Sequence, residues 1–577
     1  MVNGGHRGAA AGASRDLIST LHDDLLLTIL LRVPTIEAIR TCALSHRWRA
    51  LWTRLPELTF NDKDAGIQRL GFADLVDGAL HRSGPCDLSS LEVSVYCDYN
   101  VDAAARVPAW ILAAAPRATG NFRIWIMAQR DGKRVPRERD DMRVLHDLPC
   151  LPRAKNISLA NKTSVLNLRL RLSIQFNKNN HTTLDLTAIS GYSGSYSRRF
   201  KTLNKAKNNA ELRLPGPDAG AFACLTALEL NSLHLTDGGA NLGDLVSSRC
   251  PQLERLQLSV VSGLTELSIL AEKLLQLDLV ILDLERLSLV ASKLRVLHLF
   301  ACFGTGGKTL SVQAPMLEDL AWFGVCPEDM RFDAKRKLRK LVVGGCKLGS
   351  IRFGRSTRHA KFLQHFSHTD FLKLQISLPM CPQKAKPEPS LLTSPISGKA
   401  HVGRVEEHRP IDGHGRGGRP GTLETQMPLD IIGHKRLMEE IKFPHHLGLE
   451  LQIDPNGHAF GSSVASLLKR CKDARSFPLV DLCSAECLCD YPASWRDERF
   501  CFNFLEDLEF NGFMGTAYEM DFLIFIITRS NGLKEVLIAF GKDADLIKNI
   551  QEIREEIVNS VPAGCLVVFR SAAAATG

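Results

Sequence analysis

The sequence lacks any uninterrupted apolar run close to the roughly 18 residues that a membrane-spanning helix needs. The segment from Phe522 to Ile527 is far too short. The first residues, Met1 to Ser14, are rich in Ala and Gly but have no apolar core segment, so we expect a disordered leader rather than a signal peptide. These absences predict an intracellular protein, in the nucleus or the cytoplasm, with no membrane partner.

A strong excess of one charge sign is also absent. The 577 residues contain 72 Lys and Arg and 63 Asp and Glu, a formal net charge of +9. The basic residues are scattered among acidic ones and do not line one helix or alternate with aromatic residues. Such a pattern is not typical of a nucleic-acid-binding face, and we expect no nucleic-acid partner.

Common catalytic motifs are missing, including G-x-S-x-G, H-E-x-x-H and a recognisable pair of carboxylates. The nearest approach is the segment from Phe303 to Thr309, which ends like a phosphate-binding loop. Cys302 stands where the first glycine of that loop belongs, and Leu310 to Pro315 is predicted to be a strand rather than a phosphate-binding helix. We interpret the segment as a glycine-rich turn and expect no catalysis and no cofactor.

The sixteen cysteines do not suggest a disulfide framework in a chain without a secretion signal, and we expect most of them to be buried apolar residues. Cys483, Cys487 and Cys489, with Cys471 and Cys501 nearby, leave zinc as an alternative. Their C-x3-C-x-C spacing is not that of a common structural zinc site, so we predict no metal.

Leucine recurs in LxxLxL-type triplets that start at Leu225, Leu253, Leu264, Leu274, Leu284, Leu294, Leu317 and Leu338. Each triplet puts apolar residues at alternate positions of a short strand, which predicts one packed interior. The gaps of 10 or 11 residues between Leu253 and Leu294 are half the length of a leucine-rich coil, roughly 20 to 29 residues. We therefore predict two strands per coil on opposite walls; a plain antiparallel meander is the alternative.

Three short helices are predicted near the N-terminus. The first has apolar residues at helical spacing and is closed by Pro34. Thr35 is predicted to cap the second helix, with Ile36, Ile39 and Ala43 inside, and Ser45 the third, with Trp48, Leu51 and Trp52. These helices are too short to stand alone, and the first is apolar on more than one stripe, which predicts contact with both the chain and a partner. An ordinary helical hairpin at a domain edge is the alternative.

A longer pattern runs through these helices. It comprises Asp16-Leu-Ile-Ser-Thr-Leu-His-Asp-Asp-Leu-Leu-Leu, Ile29-Leu30, Val33-Pro34, Ala43-Leu44-Ser45, Arg47-Trp48, Leu51-Trp52 and Leu55-Pro56-Glu57-Leu58-Thr59-Phe60. This order resembles the F-box of plant F-box/leucine-rich-repeat proteins. The resemblance implies binding to the Skp-type adaptor of a cullin-based (SCF) ubiquitin ligase. The residues that it assigns to adaptor binding are Leu21, His22, Leu25, Leu26, Ile29, Leu30, Val33, Ile39, Leu44, Trp48 and Trp52.

One position departs from the pattern: the family usually has proline where this chain has His22. Proline there would preset the backbone at the start of the first helix, so we expect weaker docking. This departure motivates a second hypothesis, a leucine-rich protein-interaction module without functional ligase coupling. An enzyme hidden in the C-terminal third is a further alternative.

A second resemblance covers residues 491–542 and the cysteines before them. Cys483-Ser484, Cys487, Cys489-Asp490, Pro492 and Trp495 precede Leu505-Glu506-Asp507-Leu508-Glu509 and Leu533-Lys534-Glu535-Val536-Leu537, an order similar to the FBD region of these plant proteins. A helix around Glu519 to Arg529 is predicted to pack on the two flanking strands as one more repeat. A further helix through Ile550, Ile553 and Ile557 and a strand at Cys565 to Phe569 should follow.

These interpretations predict an α/β fold, with a short three-helix F-box, a leucine-rich-repeat solenoid of strand-rich coils and an FBD cap. The predicted domains are a leader at 1–14, the F-box at 15–60, linker and first repeats at 61–160, a disordered insertion at 161–211, the solenoid at 212–380, a second disordered insertion at 381–427, further repeats at 428–490 and the FBD-like cap at 491–577. The expected function is that of a non-catalytic substrate-recognition adaptor. Its expected partners are a Skp-type adaptor, a cullin scaffold and an unknown target protein.

Overall fold

The chain forms two units in a computed structural model. Unit one comprises residues 1–344 with 365–370, and unit two comprises 345–364 with 371–577. The residues described are 17–63, 71–83, 86–96, 101–127, 146–162, 174–176, 182–184, 210–236, 238–304, 306–333, 338–347, 356–377, 444–454, 474–480, 496–497, 501–503, 505–540 and 550–570. The predicted leader, the second insertion and Cys471, Cys483, Cys487 and Cys489 lie outside these ranges.

Unit one begins with three short helices, as predicted. They are α1 (Asp23–Leu30), α2 (Thr35–Arg40) and α3 (His46–Leu51). The Ser45 hydroxyl caps α3 by accepting the backbone N–H of Trp48 at 3.5 Å, as the sequence indicates. The predicted cap of α2 is wrong: Pro34 occupies the cap position, and the buried Thr35 hydroxyl instead accepts the N–H of Thr59 at 2.8 Å. This bond ties α2 to the first strand.

The larger sheet of unit one contains only parallel neighbours among its described strands. In spatial order these are β1 (Glu57–Asn61), β2 (Leu88–Tyr96), β3 (Ala118–Met127), β5 (Asn156–Lys162), β9 (Ala227–Asn231), β11 (Arg255–Ser259), β13 (Gln276–Val280), β15 (Val296–Phe300), β17 (Asp319–Phe323) and β19 (Leu338–Lys347). Parallel neighbours require a crossover after every strand. The smaller elements of the unit supply these crossovers.

A second, 4-stranded sheet supplies the crossovers of the central region. It consists of β12 (Glu266–Leu270), β14 (Arg286–Val290), β16 (Thr309–Gln313) and β18 (Asp329–Asp333), again all parallel. The chain alternates between the two sheets, so that β11 pairs with β13 and β12 with β14. The predicted arrangement of two strands per coil is confirmed for these strands, and the antiparallel meander is wrong.

Alternating leucines fill the space between the two sheets. Leu256, Leu277 and Leu297 are paired neighbours across the larger sheet and are fully buried. Leu267 and Leu287 are likewise paired neighbours in the second sheet and are buried. Because strand side chains alternate between faces, one face of each of these strands enters this core and the opposite face makes other contacts.

Four successive strands of the larger sheet end in an unusual backbone conformation. Ser232, Val260, Ile281 and Ala301 have φ between 49° and 55°, in the left-handed region. For residues with a Cβ this conformation costs about 1 to 2 kcal/mol each. Each N–H donates to the last carbonyl of the next strand, for example Val260 to Val280 at 2.8 Å. This repeated bond offsets the strain and turns the chain towards the second sheet.

The segment that resembles a phosphate-binding loop is a turn between these sheets. It leads into β16, which is a strand of the second sheet rather than a helix. A Cβ added to Gly304 would lie 2.4 Å from the carboxylate of Asp283, so the glycine permits a close approach within the turn. The described geometry therefore agrees with the interpretation as a glycine-rich turn.

The remaining elements of unit one flank the two sheets. They are α4 (Phe72–Arg82), α5 (Val101–Ala114), α6 (Gly238–Asp244), the single π-helical turn Leu245–Arg249, β4 (His146–Asp147), β8 (Ala210–Arg213), β10 (Leu233–Leu235) and the antiparallel pair β6 (Ile174–Phe176) and β7 (Thr182–Leu184). The Ser247 hydroxyl accepts the N–H of Leu270 at 2.9 Å and thus satisfies an edge group of β12. The predicted insertion at 161–211 includes β6, β7 and the ends of β5 and β8; its other residues lie outside those described.

Unit two has its own parallel strands. They are β20 (His368–Ser377, in this unit from Phe371), β21 (His445–Asp454), β22 (Ala474–Val480), β23 (Asp507–Phe513), β24 (Glu535–Phe540) and β25 (Leu566–Arg570), with α7 (Ser356–Leu363), α8 (Ala517–Ile527) and α9 (Ile550–Ser560). The predicted strand, helix and strand at the C-terminus are confirmed as β23, α8 and β24. A capping box starts α8: Thr516 accepts the N–H of Glu519, and the buried Glu519 carboxylate accepts the N–H of Thr516 at 2.8 Å.

The cysteines with described side chains are less buried than the sequence led us to expect. The cysteines whose side chains the structure describes are free thiols, of which Cys250, Cys302 and Cys326 are buried. Cys86, Cys224 and Cys501 are exposed, and Cys42, Cys150 and Cys565 are half-buried. Most of the described thiols are therefore not core residues, because they lie in turns and connections rather than at the alternating positions that leucine occupies.

The leucine core yields a stability prediction. Leu279→Ala removes a fully buried side chain and should lower the free energy of unfolding by about 2 to 5 kcal/mol. Leu270→Ala is the matched control because Leu270 is 60% exposed, and it should change stability by less than about 0.5 kcal/mol. Chemical denaturation of the full chain measures both; equal effects would contradict the assignment of the core.

Candidate functional site

Helix α1 has two adjacent apolar stripes. Leu26 and Leu30, one turn apart, are buried within this chain, whereas Leu25 and Ile29 remain 53% and 46% exposed. Because residues four apart lie on the same helix face, the two pairs form two stripes about 100° apart. One stripe anchors the helix, and the other is available to a partner.

The exposed stripe is part of a larger surface. Large apolar side chains that the chain leaves exposed come from the segment before α1, from α1, from the turn after it and from the turn before α3. We call this set the outer apolar surface; its members are Leu17, Ile18, Leu25, Ile29, Leu31, Val33 and Leu44. A concentration of exposed large apolar residues in one short part of the chain is typical of protein interaction sites, since an isolated chain gains nothing from exposing them.

The buried side of the three helices holds this surface in place. Helix α1 contacts α3 and the turn at residues 52–54, and Leu26, Leu30, Leu51 and Trp52 of these elements are buried. Arg47 of α3 donates from Nε to Oδ1 of Asp23 at 2.8 Å, at the first residue of α1. Together with the Thr35 to Thr59 bond, these contacts make the helices one body with the edge of the larger sheet.

The residues assigned to adaptor binding from the sequence fall into three groups. His22, Leu25, Ile29, Val33 and Leu44 are exposed, and Leu21, Ile39 and Trp48 are half-buried. Leu26, Leu30 and Trp52 are buried within the chain. In this structure the buried three support the helices from inside and are not accessible to a partner. Leu17, Ile18 and Leu31 are exposed members that the assignment left out, although their apolar character was visible in the sequence.

His22 occupies the cap position of α1 without capping it through its side chain. Its backbone has φ −64° and ψ 150°. The φ value is the one to which a proline ring is restricted. The backbone at this position is therefore already compatible with the proline that the resemblance leads one to expect.

The match to known families decides what this body is. The F-box domain family matches residues 18–60, which include all three helices and β1 up to Phe60. Residues 18–60 are an F-box domain. An F-box in general binds a Skp-type adaptor, and F-box proteins in general act as substrate adaptors of SCF-type ubiquitin ligases.

Relatives of the F-box chain come from Arabidopsis thaliana. An F-box/FBD/LRR-repeat protein is 56% identical over 48 residues, which cover 8% of this chain and 11% of the relative. An FBD-associated F-box protein is 39% identical over 80 residues, 14% of this chain and 19% of the relative. A third relative from the same plant is 39% identical over 100 residues, 17% of this chain and 20% of the relative. The matched region thus spans a fifth or less of the length of each of these three relatives.

The larger sheet of unit one carries a second group of functional interest, on the face opposite the leucines. Asp278 and His298 are neighbours across β13 and β15, with Oδ1 and Nδ1 2.6 Å apart. Next to them the rings of Phe300 and Phe323 stack at 4.6 Å between centroids. Both pairs are more than nine-tenths buried, in contrast to the fully polar outer face expected of a strand with one solvated side.

Asp319 lies beside this group and has an unusual electrostatic environment. Burial raises its pKa above the ordinary 3.8, although the positive charges of Arg339 and Lys340 act in the opposite direction. The effect of desolvation therefore exceeds that of the paired Arg339, because a buried carboxylate loses its hydration.

The described residues were also compared with the requirements of reactive thiols, metal sites and membrane-spanning helices. Burial raises the pKa of the Cys250 thiol to about 12 and also raises that of Cys302, so both are protonated at neutral pH. In the described ranges no three His, Cys, Asp or Glu side chains lie together as metal ligands would. None of the helices described is long and apolar enough to cross a membrane.

His22→Pro should raise the free energy of unfolding of the F-box by about 0.4 to 1 kcal/mol, because it restricts the unfolded chain at a φ the folded chain already has. Thermal unfolding compares it with His22→Ala, which removes the same imidazole without the ring constraint. A proline variant less stable than the alanine variant would contradict this prediction.

The free energy of unfolding of the Asp319→Asn variant should increase relative to that of the parent as pH rises. The raised pKa means that the folded parent holds a proton that the unfolded chain releases above about pH 3.8, so the parent loses stability as pH rises through the raised value. Asparagine does not titrate. Urea unfolding at several pH values between about 3 and 7 measures the difference; a difference independent of pH would contradict it.

Proposed function

We propose that this protein is a non-catalytic substrate-recognition adaptor of an SCF-type cullin ubiquitin ligase, and that it acts inside the cell, in the nucleus or the cytoplasm. The observation that carries the proposal is the outer apolar surface, which lies on an F-box domain and is not used by the chain's own core. Its exposed leucines, isoleucines and valine would bind the Skp-type adaptor, which in turn would connect the chain to the cullin scaffold.

The body behind the F-box would bind the target protein. We interpret the two alternating parallel sheets of unit one as a leucine-rich-repeat solenoid, because each coil contributes one strand to each sheet and its leucines to one interior. We interpret unit two from β23 to β25 as the FBD-like cap. The name of one Arabidopsis relative, which joins F-box, FBD and LRR, supports both interpretations, and the name of another, an FBD-associated F-box protein, supports the second.

The proposed mechanism is proximity. A target held by the repeats would stay beside the ubiquitin carrier that the cullin brings, so its lysines would react at a high effective concentration. This requires two independent surfaces on one chain, one for the adaptor and one for the target. The division of α1 into a buried and an exposed stripe supports such independence, because the F-box is anchored by residues other than those it exposes.

A second candidate is a leucine-rich protein-interaction module that lacks functional ligase coupling. Histidine at position 22 is the observation that favours it. The backbone at His22 has the φ of a proline, so the histidine does not impose a different path on the chain. The histidine is therefore a weak argument for the second candidate. Adaptor binding by the intact chain distinguishes the two candidates.

Ile29→Asp should weaken binding of the purified Skp-type adaptor by about 30-fold or more, since a charge at the centre of an apolar interface costs about 2 kcal/mol or more. Ile29 is exposed, so the substitution should leave the melting temperature unchanged. Isothermal titration calorimetry with the full chain measures the affinity. Leu30→Asp is not an equivalent test, because Leu30 is buried and its loss would also unfold the helices.

Leu112→Asp is the matched control for this experiment. Leu112 is a large apolar residue on α5, 56% exposed and outside the outer apolar surface. The Leu112→Asp variant should bind the adaptor with the same affinity as the parent. If Ile29→Asp and Leu112→Asp bind equally well, the proposed use of the outer apolar surface is wrong; if the parent does not bind at all, the uncoupled interaction module is favoured.

A further inference from the structure

Arg47 lies on α3, but its guanidinium reaches back to the segment that precedes α1. Nη1 donates to the carbonyl of Ser19 at 2.9 Å, and Nη2 donates to the carbonyl of Leu21. Nε donates to Oδ1 of Asp23 at 2.8 Å. One side chain thus holds the first residue of α1 and two carbonyls of residues 17–22, which we call the arm.

The arm is a short non-helical segment with its own turn. The N–H of Leu21 donates to the carbonyl of Ile18 at 3.1 Å, and the Thr20 hydroxyl donates to the carbonyl of Leu17 at 2.7 Å. A single turn of this kind is marginal on its own in water, because it fixes several backbone angles for few bonds. Anchoring by a side chain from another helix compensates for that cost.

The arm also presents the most exposed pair of neighbouring apolar residues in the outer apolar surface. Leu17 is 69% exposed and Ile18 is 56% exposed. In contrast to Leu25 and Ile29, they have no helix to orient them. Their position relative to α1 therefore depends on the bonds that hold the arm.

We propose that Arg47 is a positioning residue for adaptor binding, which fixes the arm so that Leu17 and Ile18 extend the apolar stripe of α1. This inference rests on the proposed function, since it concerns the same surface. An arm that is ordered before binding spares the entropy that the complex would otherwise lose. The role requires arginine, because only a planar guanidinium offers several donors in a fixed fork; the single ammonium of lysine cannot bridge the same acceptors.

A proline at position 22 can test positioning without involving Arg47. The φ of His22 is already that of proline, so the ring would restrict the junction between the arm and α1 by a route independent of the guanidinium. If Arg47 acts by positioning, His22→Pro should restore part of the affinity for the adaptor that is lost when the Arg47 side chain is removed. If Arg47 instead contacts the adaptor directly, the proline cannot replace that contact.

The experiment measures the affinity of the full chain for the purified Skp-type adaptor in five forms: parent, Arg47→Ala, Arg47→Lys, His22→Pro and the double variant His22→Pro/Arg47→Ala. Arg47→Ala should weaken binding roughly tenfold or more, as expected when charge-assisted hydrogen bonds are lost. Arg47→Lys should give a smaller loss, His22→Pro should bind at least as well as the parent, and the double variant should regain most of the affinity.

Amide hydrogen exchange distinguishes a local release of the arm from a general loss of structure. In Arg47→Ala the amides of residues 17–22 should exchange faster, while those of β1 and β2 keep the rates of the parent. Asp23→Asn is the milder second variant if Arg47→Ala fails to fold; it keeps an acceptor, and it should show the same local effect to a smaller degree.

The outcomes separate the inference from the proposed function. Full affinity in Arg47→Ala while Ile29→Asp loses binding would overturn the inference alone. Lost affinity that the double variant does not regain would also overturn it, in favour of direct contact, as would unchanged exchange in the arm. Unchanged binding in both Arg47→Ala and Ile29→Asp would overturn the proposed surface, and the inference with it.

Discussion

The burial of leucine at every second position of parallel strands is the constraint on which the rest of this molecule depends. Parallel pairing aligns the leucines of successive strands, as with Leu256, Leu277 and Leu297, so that each coil completes the apolar surface of the one before it. A single coil could not bury its leucines alone. The pairing of successive strands is therefore both the source of stability and the reason for the row of parallel strands in unit one.

The same constraint sets the strained turns. Each coil must leave the larger sheet after a five-residue strand and cross to the second sheet, and the left-handed residue at the strand end makes that turn. Val260 and Ile281 are poor residues for this conformation, because their branched side chains crowd the backbone. They persist since the N–H of each continues the ladder to the next strand. Strain is thus distributed over several coils and not concentrated at one site.

The F-box depends on this body for support and yet remains available to a partner. Thr35 and Thr59 join α2 to β1, the strand at the end of the larger sheet, and the inner stripe of α1 packs on the α3 region. Three helices too short to be stable alone therefore keep a fixed arrangement while their outer stripe stays exposed. Such a division suits a connector, because binding at the outer stripe need not disturb the leucine core.

The sequence by itself determined the F-box pattern, the leucine triplets with their half-coil spacing, and the terminal strand, helix and strand, because each is a local periodicity of apolar residues. Only the tertiary structure decided which F-box residues are exposed, since Leu25 and Leu26 have the same side chain and differ only in which neighbours pack on them. It also decided the role of Thr35 and Arg47, whose partners lie 24 or more residues away in the chain. Periodicity identifies the face of a helix, but a hydrogen bond between distant segments depends on how the chain folds back on itself.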